Sequence, residues 1–133
     1  MASGKLFRIS AALGVTGISL GALGAHALKE RLTVSDMLDP WHTAVQYHLI
    51  HAVAYLVIAA LASVSGPARA RALERVGLYW LIGVICFSGS LYWIALGAPR
   101  WVGPITPLGG LSFIIGWIML AFVKSENPPI SPK

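Results

Sequence analysis

A chain of 133 residues has room for one domain, and 56% of them are hydrophobic against 11% charged. Soluble chains average about 25% charged residues, so this one has too few to cover a water-facing surface and must turn much of it to lipid. A net charge of +5 would suit nucleic acid only if the ten Lys and Arg residues gathered with aromatics on one face; they lie between and outside the apolar runs, so no nucleic-acid partner is expected.

Four apolar runs, at residues 6–27, 41–64, 72–96 and 107–123, follow one another along the chain. Each is near the ~20 residues that carry a helix across a ~30 Å hydrocarbon core at about 1.5 Å per residue. The expected fold class is therefore all-α: an integral membrane four-helix bundle forming one domain over residues 1–124, with a polar, Pro-rich tail at 125–133.

The first run opens after MASGKLFR and ends in AHA (Ala25–Ala27), a pattern that also fits a secretory leader with its cleavage site. It is long for a leader's apolar core and is interrupted by glycines, so a retained span is expected. Along it, Ser10, Gly14, Gly17, Gly21 and Gly24 recur at steps of four, three, four and three. At 100° per residue all five fall within about 80° of one another on a helical wheel. In lipid, small residues that let backbones approach are the usual association surface, so this stripe is read as a helix-packing face. Its partner is either another span of the same chain or a second protein.

The break at 29–40 holds five charged residues, with Leu28, Leu32 and Leu38 spaced as on a short helix lying at the membrane surface, and Pro40 reads as a stop. The second run then carries His42, Gln46, Tyr47, His48 and His51 in its first half. With His42 at 0°, Tyr47, His51, Tyr55 and His48 form a stripe about 100° wide, and His42 and Gln46 sit nearly opposite it. Ionisable groups in a bilayer are costly and normally face the bundle interior, so the stripe is expected to look inward from the loop end of its span. A basic turn, SGPARAR, precedes the third run, where Ser88 and Tyr92 share one face while Cys86 and Ser90 lie on another. These hydroxyls, with His26 at the end of the first span, are expected to complete a polar network or ligand site with the stripe. GAPRWVGPIT follows, with Trp101 suited to the headgroup layer, and Thr106–Pro107 reads as an N-cap and first helical residue of the last span.

With four spans, Lys5, Arg8, Arg69, Arg71, Arg75, Lys124 and Lys133 share a side, seven of the ten basic residues. The bias toward that side places both termini in the cytoplasm. The chemistry excluded is broad. A single Cys86 rules out an internal disulfide and a cysteine zinc site. His48 and His51 at i, i+3 make a weak pair of metal ligands, and one helix cannot place two axial ligands on opposite faces of a haem. No metal and no cofactor is expected. The acids outside the tail, Glu30, Asp36, Asp39 and Glu74, are all in or near loops, so no nucleophile set forms and an enzyme is not expected. GALGAH follows no strand and TPLGG lacks a lysine, so neither reads as a phosphate cradle.

Four blocks in register, GALGAHALK (21–29), TAVQYHLIHAVA (43–54), FSGSLYWIAL (87–96) and ITPLGGLSFIIGW (105–117), resemble a family of small four-span membrane proteins of unknown function. This is the transmembrane-protein-256-like or uncharacterised UPF/DUF class. The resemblance runs from Gly14 to about Ala121, and Gly24, His26, Tyr47, His48, His51, Ser88, Gly89, Ser90, Tyr92, Thr106, Pro107, Gly109 and Gly110 match its motifs. It implies a four-span helical protein of a bacterial inner membrane or an organellar or other cellular membrane, and no activity. The expectation is a small multi-pass protein of the inner (plasma) membrane, a structural or accessory subunit packing against other membrane-protein subunits or as a homo-oligomer. The alternative is a proton, ion or quinone-like small-ligand site at the His/Tyr face of the second span.

Overall fold

A computed structural model describes residues 2–125, with side chains from Gly4 onward; the tail from Glu126 lies outside the described residues. The chain forms α1 (Ala2–Ala25), α2 (Lys29–Val34), α3 (Leu38–Ser63) and α4 (Pro67–Gly83). A π-helical segment (Val84–Ser88), α5 (Gly89–Ala95), a 3-10 turn (Arg100–Val102) and α6 (Ile105–Ala121) complete it, with no strand among the described residues. Four stretches are long and apolar enough to cross a membrane: Gly4–Ala25, Leu38–Ser63, Pro67–Ala95 and Arg100–Ala121. The third joins α4, the π segment and α5 into one span.

Prolines account for where these helices start earlier than the apolar runs. Pro40 does not stop a helix but sits in the first turn of α3, and Pro67 opens α4. A proline there loses no intrahelical bond, because first-turn N–H groups have no partner in their own helix. The shift has a consequence for depth. His48 and His51 become the eleventh and fourteenth of the 26 residues of α3, near the middle of the span rather than at its loop end. Thr106 does not cap α6 either: the N-cap is Pro104, and the Thr106 hydroxyl lies 2.6 Å from Ser90 Oγ of α5 instead.

The stripe of small residues on α1 lies along α3. Ser10 Oγ donates to the Ala52 carbonyl at 3.1 Å. A Cβ at Gly17 would come within 2.6 Å of Leu49 Cδ2, one at Gly21 within 3.3 Å of Val45 Cγ1, and one at Gly24 would overlap the Trp41 indole. That indole is buried against α1 and donates to the Leu20 carbonyl at 3.0 Å. Gly14 differs, with no atom within 4 Å of where its Cβ would be.

Between α1 and α3, the six-residue α2 turns Leu32 into the protein, against a cluster with Trp41, Ala44, Tyr92 and Ala95. Its leucine pattern is the inward face of this helix, with Leu28 and Leu38 packed against the same cluster. Asp36, at φ 56°, ends α2 in the left-handed region that Asp tolerates, and the Met37 N–H reaches back to the Leu32 carbonyl at 2.8 Å. Arg31 donates to the Leu96 carbonyl at 2.9 Å, satisfying an open group at the end of α5.

The fourth span closes on the third through backbone contact. A Cβ at Gly109 would run into the backbone of Phe87 in the π segment, so only glycine lets α6 approach here. Serines bolt this interface and the one with α3: Ser112 Oγ donates to the Tyr79 carbonyl at 2.7 Å and Ser88 Oγ to the Ala44 carbonyl at 2.8 Å. Each hydroxyl finds an acceptor on another helix, where lipid would offer none.

Candidate functional site: two imidazoles at mid-span

His51 is 3% exposed and held on three sides. Its Nδ1 lies 2.8 Å from the Tyr47 carbonyl one turn earlier on α3. Its Nε2 accepts from the Trp117 indole N–H of α6 at 3.1 Å. A carbonyl only accepts and an indole N–H only donates, so the ring carries its one proton on Nδ1 and is neutral. The flat face stacks on Phe113 with centroids 3.7 Å apart and planes 14° off parallel, and Trp80 meets it edge-on at 5.8 Å. A protonated ring would set an Nε2–H against the indole N–H, two donors with no acceptor between them.

His48, one turn away and 5% exposed, has softer partners. Its Nε2 is 3.2 Å from Thr16 Oγ1 on α1, and its Nδ1 is 3.2 Å from the Tyr92 hydroxyl on α5. Thr16 Oγ1 is also 2.8 Å from the Ala12 carbonyl, which claims its proton. The consistent direction of donation then runs from Tyr92 O–H to His48 Nδ1 and from His48 Nε2–H to Thr16. Tyr92 is braced in turn by Trp41, edge-on at 4.9 Å. Between them the two histidines tie α3 to α1, α5 and α6, one helix from each of the other three spans.

The other residues singled out from sequence are distributed around this pair. Tyr55 is buried against Gly77 of α4, at 3.0 Å from where its Cβ would be. Ser88 bonds to Ala44, and Ser90 pairs with Thr106, both as interhelical links. Tyr47 remains 40% exposed, with its ring over Phe87 at 4.7 Å. His26 is exposed in the turn after α1, lines a surface hollow with Lys29, Glu30 and Thr33, and takes no part in the bonds just described.

Sequence reasoning did not single out Thr16, Trp80, Phe113 or Trp117 as parts of this site. Trp117 carries the one side-chain N–H of an otherwise apolar run, a signal that could have found it; Thr16 lies one position off the glycine stripe. Among the described residues, no three His, Cys, Asp or Glu side chains gather to hold a metal. Either imidazole would first have to give up a bond that joins two helices.

The model of a family described as a protein of unknown function, DUF423, matches residues 20–110. UPF0382 membrane protein YwdK of Bacillus subtilis is 41% identical over 118 residues, covering 87% of this chain and 93% of that protein. A UPF0382 membrane protein of Haemophilus influenzae is 37% identical, covering 89% and 91%. One from Schizosaccharomyces pombe is 32% identical, covering 84% and 94%. No solved structure matches the chain. With four apolar spans and relatives named as membrane proteins along nearly their full length, the chain belongs to the DUF423 family, the UPF0382 membrane proteins.

Proposed function

We propose that this protein is a structural or accessory subunit of the inner (plasma) membrane, with both termini in the cytoplasm, that packs against other membrane proteins or copies of itself. The observation that carries the reading is the use made of the mid-span polar groups. Both nitrogens of His48 and of His51 are engaged by protein partners on other helices or on the preceding turn. They act as bolts between spans rather than as a surface offered to a substrate. Support for packing comes from the outer side of the α1–α3 seam. Ala11, Gly14 and Ile18 on α1 and Leu49, Val53 and Leu56 on α3 border an open apolar groove, at the one stripe position where α3 leaves the glycine uncovered. An apolar transmembrane helix fits that chemistry.

Extraction in a mild detergent and sizing on a native gel tests the reading. A complex larger than the monomer is expected, lost in Gly14→Leu, whose side chain would enter the groove from a position where its Cβ meets no atom within 4 Å. Recovery only as a monomer in every mild detergent contradicts it. Orientation is checked separately with a Ser65→Cys variant in a Cys86→Ser background: an impermeant maleimide should label inverted vesicles and leave whole cells unlabelled.

A second reading, a proton, ion or quinone-like ligand site, draws on His48 alone, because hydroxyl partners can reverse their direction of donation. His48→Gln should then abolish a measurable proton flux in reconstituted vesicles; flux equal to that of the unaltered protein counts against it.

A further inference from the structure

At the end of the bundle away from α2, the start of α4 and the end of α6 enclose an open pocket of about 470 Å³. Arg69, Ala72 and Arg75 line it from α4, and Met119, Phe122 and Lys124 from α6 and the residues after it. Among the described residues, three that line it are cations and none is an acid. The acid on the same helix, Glu74, faces a different hollow, with Lys5 and Tyr55. The Nε of Arg69 is buried and has no hydrogen-bond partner among the described residues. A buried guanidinium N–H without an acceptor is unfavourable, and an anionic oxygen would satisfy it. The positive end of the 17-residue α4 adds to the same field.

The other wall is apolar. Met119 and Phe122 stand beside the cations, and Phe122 is 81% exposed where the last span leaves the membrane. A free anion has no use for that wall, whereas a lipid presents a phosphate and the first carbons of its acyl chains together. We propose that this pocket is a binding site for the phosphate of an anionic lipid, with Arg69, Arg75 and Lys124 on the headgroup and Met119 and Phe122 against the chains. Basic pockets between spans at the membrane surface are suited to such headgroups. The site does not depend on whether the protein has protein partners.

The test uses the full chain in detergent, mixed with phosphatidylglycerol or phosphatidylcholine, with bound lipid counted by native mass spectrometry. Phosphatidylglycerol should be retained at least about tenfold over phosphatidylcholine, and excess inorganic phosphate should not displace it. Each surface cation contributes about a fivefold change in binding, so R69Q/R75Q/K124Q should erase the preference and Arg75→Gln alone should lower it about fivefold. Arg75 is exposed, so its variant keeps the test open if the triple variant does not fold. Arg100→Gln, at the other end of the bundle, should change nothing. Equal retention of the two lipids, or an undiminished preference in R69Q/R75Q/K124Q, overturns the proposal. Displacement by inorganic phosphate, with phosphate itself bound, makes this a free-anion site and overturns its assignment to lipid.

Discussion

His48 and His51 stand three residues apart on one helix, equally buried, yet opposite kinds of partner hold them. His51 is fixed by groups whose roles cannot change: a carbonyl at 2.8 Å, an indole N–H at 3.1 Å and an aromatic face at 3.7 Å. His48 is held by two hydroxyls, each at 3.2 Å and each able to donate or accept. The difference teaches where adaptability lies in this fold. The α3–α6 side, with its stacked rings and backbone contact at Gly109, is rigid by chemistry. The α1–α3–α5 side is also tied by Ser10, Trp41 and Ser88, but at His48 itself it meets two rotatable O–H groups.

The comparison can be broken by unequal damage. His51→Ala should be the most costly change, about 4 kcal/mol, because it opens an aromatic-sized cavity and strands the Trp117 indole N–H. Thermal unfolding in detergent measures it, and a loss no larger than that of His48→Gln would contradict the ranking. Gly109→Ala follows at about 3 kcal/mol, since its Cβ meets backbone that no rotamer change can move aside. It should disturb Trp117 fluorescence while leaving the His48 bonds in place. His48→Gln should cost about 1 kcal/mol, because a carboxamide can still donate to one hydroxyl and accept from the other. Thr16→Val is the mildest, about 0.5 kcal/mol, as it removes one interhelical bond and preserves shape.

Much of this fold is legible in the sequence because the bilayer imposes a length and a polarity on every span. The four apolar runs correspond to the four membrane-length helical stretches, and the helical wheel puts His48, His51 and Tyr55 together on a side that the structure buries. Tyr47, on the rim of that stripe, stays partly exposed because one edge of a 100° stripe reaches the surface of so small a bundle. What sequence pattern does not carry is which partner each ring meets. Trp117 looks like one more apolar residue until α6 is docked, and the docking depends on Gly109 fitting a π-helical turn with no composition of its own. His26 reads as part of the site because it ends the first span, but α1 stops at Ala25 and the turn carries it outward. A proline read as a boundary puts a helix start too late, as at Pro40, and so shifts both imidazoles toward the loop when they lie near the middle of α3.

Nitrogen-15 magnetic resonance of the imidazoles, on protein reconstituted in lipid bilayers, tests the central claim most directly. The account predicts His51 as a neutral ring protonated on Nδ1, with Nε2 shifted by the Trp117 indole and unchanged when the bathing pH is lowered. A His51 ring protonated on Nε2, or one that takes a second proton while the bundle stays folded, would contradict it.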